Sequence, residues 1–235
     1  MKLETENLDQ KVRKNAAGKF VKLKHGFVHY ELEGSLGAPL VVLIHGLTSP
    51  FFVWDFAFSG LKKAGLRVLR YDLYGRGYSD RPKVKYDENL FVQQLFELLD
   101  KLCINHEKIS IAGVSMGSSI AVLFAEKHRK MINKLSLIAP AGFPLPKSFS
   151  RQLLHIPVLN KILFKLIANK MFLKSLPNAF YSLENFDKYK EKFLKQLRYK
   201  GYQQAIFSTL LNFPLEKLAN SYQGISDLNI PVQII

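Results

Sequence analysis

Gly113-Val114-Ser115-Met116-Gly117 sets a serine hydroxyl between two glycines, each one residue removed. Serine becomes a nucleophile only when its hydroxyl is exposed and its developing alkoxide meets positive dipoles. A sharp strand-to-helix turn supplies both, by straining the serine backbone and aiming the first amides of the next helix at the charge. The flanking glycines let neighbouring backbone pass where a Cβ would clash. As a bare pattern it carries little: chance yields about 0.08 occurrences in a chain this long, and a structural glycine-rich turn reads the same. Its setting gives it weight, because an apolar strand runs into it and a helix leaves directly after.

The elements that must position this turn are legible as an alternation. Residues 39–44, 66–71, 109–114, 135–139 and 230–235 are short apolar runs rich in β-branched residues, as expected of strands buried on both faces. Two earlier strands are predicted within 18–33, around a turn at His25-Gly26. Helices are predicted over 56–64, 89–102 and 118–131, the second with Leu90, Phe91, Leu95, Leu98, Leu99 and Leu102 on one stripe. Such alternation implies a mostly parallel sheet, right-handed crossovers and helices on both faces. The gap between the last two strands is too long for a loop and is rich in helix formers and aromatics. It predicts an inserted helical cap.

Three motifs, each at the carboxyl end of a predicted strand, resemble the α/β-hydrolase superfamily, of the serine esterase or lipase-like AB hydrolase-1 type. They are His45-Gly46-Leu47, the run Tyr71-Asp72-Leu73-Tyr74-Gly75-Arg76-Gly77-Tyr78-Ser79, and the serine turn itself. The resemblance runs from about Phe20 to the last residue. It implies Ser115 as nucleophile, with the backbone N–H groups of Leu47 and Met116 holding the oxyanion beside Gly46. It implies that His45 supports the oxyanion loop rather than acting as general base. Asp72, Arg76 and Asp80 are expected to brace the turn they belong to.

The chain departs from that pattern in one respect. The family order is serine, acid, histidine, and the strand after which the acid usually comes is the last segment, 232–235. The alternative acid position reads Ala139-Pro140-Ala141-Gly142, without a carboxylate. Beyond Ser115 lie His128, expected about 20 Å along the same helix, and His155, in the predicted cap. The expectation is a chain lacking a final strand and helix, of the order of 40 residues with their loops, with acid and histidine among them, and weakened or inactive as it stands.

Composition narrows the rest. The net charge of +15 is concentrated: thirteen Lys/Arg against four Asp/Glu fall between Pro144 and Tyr222. No nucleic-acid-binding module accompanies that charge, so no nucleic-acid partner is expected. Residues 158–174 read as a basic amphipathic helix, either a cap helix over the active site or a peripheral membrane contact. The amino-terminal residues lack a signal-peptide pattern, no run approaches a membrane span, and Cys103 is the lone cysteine, expected as a buried small hydrophobe. Together these predict a cytoplasmic protein.

The organisation expected is a core over 1–143, a helical cap over 144–222 and a return to the core over 223–235. The activity expected is hydrolysis of a small-molecule acyl ester through an acyl-enzyme on Ser115, with no cofactor and no metal. A serine nucleophile disfavours the dehalogenase and epoxide-hydrolase branches, which use a carboxylate. Alternatives left open are a catalytically dead fold retained for binding and a C–C bond hydrolase of ring-cleavage products. The sequence sets no oligomeric state.

Overall fold

The computed structural model describes residues 3–104, 106–144 and 186–235. Seven strands are described: β1 (Lys19–Leu23), β2 (Gly26–Glu33), β3 (Leu40–Ile44), β4 (Arg67–Tyr71), β5 (Ile109–Val114), β6 (Ile132–Ile138) and β7 (Val232–Ile234). They form one sheet in the order β1-β2-β4-β3-β5-β6-β7. The β1/β2 and β2/β4 pairs are antiparallel and every later pair is parallel.

Strand side chains alternate across the sheet, and each face has its own cover. Leu43 and Val68 pack with Trp54 and Phe58, the latter on α2 (Asp55–Lys63). Val42, Ile44, Leu69, Tyr71 and Ile111 point the other way, into the cluster built with α3 (Glu88–Lys101) and α4 (Met116–Lys127). Helix α3 starts where the sequence offers a cap: the Asp87 carboxylate accepts the Leu90 N–H at 3.0 Å. The expected mostly parallel sheet with helices on both faces is the architecture found.

Four expectations need correction, the first being β7, read as buried on both faces but exposed at all three residues at the edge of the sheet. Cys103 is exposed, not buried. It follows the C-cap of α3 with φ +57, and this left-handed turn swings its side chain outward while Ile104 points in. The helix after Ser115 starts at Met116 and stops at Lys127, because His128 leaves helical geometry (φ −126, ψ 41). Strand β6 starts three residues earlier than its apolar run, since pairing with β5 carries it through the exposed Asn133 and Lys134.

Of the predicted cap, the described part is α5 (Phe186–Gln196), α6 (Tyr202–Asn212) and α7 (Ala219–Gly224). The amphipathic segment 158–174 and His155 lie outside the described residues. Phe52 joins Tyr189, Phe193, Leu197, Tyr202, Ile206 and Phe207 in a second apolar cluster that seats α5 and α6 on the core. The amino-terminal segment clasps them from outside. Glu4 N–H and Glu6 N–H donate to the carbonyls of Leu197 and Arg198 at 2.9 Å each, and Lys200 N–H returns to Glu6. A short helix, α1 (Gln10–Lys14), then delivers Arg13 to the carboxylate of Asp80. Among the described residues, no helix is long and apolar enough to cross a membrane.

Candidate active site

Strand order brings the site together. The chain leaves β3 for β4 on one side and returns across it to β5 on the other, so β3 and β5 lie side by side where the order reverses. A crevice opens at such a reversal, beyond the carboxyl ends of the strands. Ile44 pairs with Gly113 in the parallel register, so the segments that follow, His45-Gly46-Leu47 and Val114-Ser115, emerge next to each other.

Ser115 takes φ +54 and ψ −119, a strained conformation for a residue with a side chain. Its N–H donates to the Ile138 carbonyl at 2.9 Å, and its carbonyl accepts the Ser118 N–H at 3.0 Å. These bonds hold the turn from both sides, and Ser118 Oγ adds a bond to the Gly113 carbonyl at 2.7 Å. The two glycines of the motif are steric requirements. A Cβ on Gly113 would lie 2.4 Å from the Gly117 backbone, and one on Gly117 would lie 2.2 Å from the Ile44 carbonyl oxygen. Gly46 differs: a Cβ there would sit 3.5 Å from the Ser115 Cβ and 4.0 Å from its Oγ, so this backbone borders the hydroxyl directly.

Met116 is the first residue of α4, and the opening amides of a helix have no carbonyl acceptor within it. Leu47 is placed by its carbonyl, which accepts Arg76 Nε at 2.8 Å. Arg76 is wholly buried and spends its other nitrogens on the Tyr74 carbonyl (2.9 Å) and Thr209 Oγ1 of α6 (2.9 Å). One guanidinium therefore ties the loop after β3, the turn after β4 and α6. Gln196 and Tyr202 add to this by donating to the Thr48 carbonyl at 2.9 and 3.0 Å.

Two buried histidines flank this loop and differ in charge because their partners differ. His45 Nδ1 faces the Gly46 carbonyl at 2.8 Å, while its Nε2 faces the Leu73 N–H at 2.9 Å. One nitrogen meets an acceptor and the other a donor, so the ring is neutral with its proton on Nδ1. Burial agrees, pushing its pKa down to about 4. His29 meets acceptors at both nitrogens, the Asp72 carboxylate at 2.7 Å and the Ala17 carbonyl at 2.6 Å. Both nitrogens then carry protons. Burial works against that charge, but the hydrogen bond and the field of Asp72 prevail and raise the pKa. Asp72 also accepts the N–H groups of Phe51 (2.9 Å) and Tyr78 (3.0 Å), and burial notwithstanding its own pKa is lowered.

The structure thus brings Ser115, Met116, Gly46, Leu47 and His45 into one locality, and leaves His128 away at the far end of α4, stacked on Phe96 and Phe124. The bracing roles read for Asp72, Arg76 and Asp80 match their hydrogen bonds. The His29–Asp72 pair went unread in the sequence, since 43 residues separate the partners and neither lies in a spacing that announces the other. A cavity of about 580 Å³ beside α5 was also unread, though Lys188, Lys192 and Lys195 on one helical face were its signal. Among the described residues no group of three side chains could hold a metal ion.

Known proteins bear on this geometry. A family model described as alpha/beta hydrolase fold matches residues 39–165. Epoxide hydrolase 4 of Mus musculus is 30% identical over 171 residues, covering 72% of this chain and 45% of that protein. The soluble epoxide hydrolase of Corynebacterium sp. (strain C12) is 29% identical over 127 residues, covering 51% and 43%. The chain spans less than half the length of these curated relatives. Among solved structures, the esterase EaEST of Exiguobacterium antarcticum superposes with a TM-score of 0.72 at 18% identity, covering 92% of this chain and 80% of that one. The enol-lactonase of Burkholderia xenovorans LB400 does so at 0.67 and 20% identity, with coverage of 92% and 80%.

Proposed function

This chain belongs to the alpha/beta hydrolase fold family, and from that premise we propose that it is a serine hydrolase acting on carboxylic esters through an acyl-enzyme on Ser115. The observation that carries the reading is the Ser115 turn: a hydroxyl-bearing residue held at φ +54 between β5 and α4, bordered by Gly46. Ser115 Oγ adds to the acyl carbonyl and passes its proton to a base. The Leu47 and Met116 N–H groups stabilise the oxyanion, each contributing about 3 kcal/mol to lowering the barrier. The alcohol leaves, and water releases the acid from the serine ester.

The epoxide hydrolases among the relatives raise a second reading, and Ser115 argues against it. A carboxylate that opens an epoxide forms an ester, which water can cleave. A serine that did so would form an ether, which water does not cleave at neutral pH. Turnover on a serine therefore requires an acyl carbonyl.

The experiment is intact-protein mass spectrometry of residues 1–235 with a medium-chain p-nitrophenyl ester. An adduct of one acyl group on Ser115, forming slowly over hours and absent in Ser115→Ala, is expected. Faster cleavage of a peptide, of an epoxide or of a ring-cleavage product, or an adduct that survives Ser115→Ala, would overturn the reading.

A further inference from the structure

The 580 Å³ cavity lies apart from Ser115, bordered by none of residues 45–47 or 113–117. Its size falls within the ~300–1,000 Å³ typical of small-molecule sites. Phe51 and Phe52 give it an apolar border and are themselves 7% and 9% exposed. One wall is α5, where Lys188, Lys192 and Lys195 recur at helical spacing and so share a face.

The charges around the cavity do not cancel. Three carboxylates border it, and each is engaged: Glu31 with Arg70 at 2.7 Å, Asp55 with Arg70 at 2.6 Å and Lys192 at 2.5 Å, and Asp72 with His29 at 2.7 Å. Lys188 and Lys195 have no carboxylate partner among the described residues, and Lys195 Nζ lies 5.6 Å from the centre of the Tyr78 ring. Two uncompensated ammonium groups beside a pair of buried phenyl rings suit a ligand that is anionic at one end and apolar at the other. A bare inorganic anion would leave the rings unused, and a neutral hydrocarbon would leave the lysines unused.

We propose that this cavity binds a small organic carboxylate with an aromatic or aliphatic body, its anionic group held by Lys188 and Lys195 and its body laid on Phe51 and Phe52. The site is distinct from the serine turn and stands whether or not Ser115 is acylated.

Calorimetric titration of the full chain with 2-naphthoate tests it, with 2-naphthalenemethanol and inorganic phosphate as comparisons. Saturable 1:1 binding of 2-naphthoate is expected, at least tenfold tighter than either comparison. Lys188→Glu with Lys195→Glu should weaken it at least fivefold, and Lys190→Glu, on the same helix but away from the cavity, should not. Ser59→Trp fills the cavity from the α2 side with the lysines intact and should give the same loss. No saturation at millimolar 2-naphthoate, equal binding of the alcohol, or indifference to the lysine pair and to Ser59→Trp would each overturn the proposal.

Discussion

The Nε2 of His45 accepts the backbone N–H of Leu73 at 2.9 Å, so the lone pair that would have served a general base is already occupied. The ring joins the end of β3 to the end of β4 as a neutral strut, while His29 does similar work nearby as a cation.

These two histidines should give opposite pH dependences of stability. His45 titrates near 6.5 when unfolded and at about 4 when folded, so its contribution is complete above 6.5 and is lost as pH falls toward 4. The span is worth on the order of 3 kcal/mol. His45→Gln keeps an acceptor for Leu73 and removes the titration. Urea denaturation between pH 7 and 4.5 should show the wild type losing stability faster than this variant. His29, with its pKa raised, contributes fully below 6.5 and less as pH climbs through its folded value. His29→Gln should therefore cost more at pH 6 than at pH 9. Parallel curves for variant and wild type would refute either assignment.

The glycines around Ser115 should separate by mechanism. Gly117→Ala drives a Cβ to 2.2 Å from the Ile44 carbonyl, backbone that cannot yield without moving the sheet. A loss of about 3 kcal/mol is expected. Gly46→Ala meets nothing closer than 3.4 Å. It should melt within a few degrees of the wild type and still slow acylation at least tenfold, because the new methyl stands beside the serine hydroxyl. A Gly46→Ala protein that acylates at the wild-type rate would show that this strand end does not border the reacting atoms.

Much of the frame was legible because it is written in local contrasts. Apolar runs of five or six residues marked β3, β4 and β5, and a glycine pair marked the turn that two backbones must cross. What escaped depended on distant partners. Nothing near Asp72 in the chain names His29. The outward turn of Cys103 hangs on a single left-handed residue inside an otherwise apolar stretch. The beginning of β6 was hidden because a polar Asn-Lys pair is carried into the sheet by its neighbour's register.

Fluorophosphonate labelling of residues 1–235 should be slow. His29 and His45 have both ring nitrogens engaged, and His128 stacks at the far end of α4. His106 precedes β5, at the end of the strand opposite Ser115. Loss of the base in serine hydrolases costs about 10⁶ in turnover, and labelling at least ~10³-fold below typical rates is expected on that basis. Rapid labelling at Ser115 would reveal a base either in His25, at the β1–β2 turn beside Tyr74, or outside the described residues, with His155 the first to replace by Gln.

Membrane contact through the basic segment 158–174 is testable apart from the fold. If that segment lies on a bilayer, the protein should sediment with anionic vesicles and be released as salt shortens charge interactions to about 3 Å at 1 M. Sedimentation that ignores lipid charge would refute the contact.

The clasp made by Glu4 and Glu6 also has a schedule. Glu4 Oε1 accepts the N–H of Gln203, a partner 199 residues away, and its neighbours bond to residues 197–200. During synthesis at about 5–20 residues per second, the first residues wait roughly 10 to 40 s after leaving the ribosome for those partners to appear. Strands β1 to β6 are all available for pairing before then. The strap is thus seated after β1 to β6 can pair and before β7 emerges, and until then residues 4–6 of the nascent chain lack their partners and stand open to proteases.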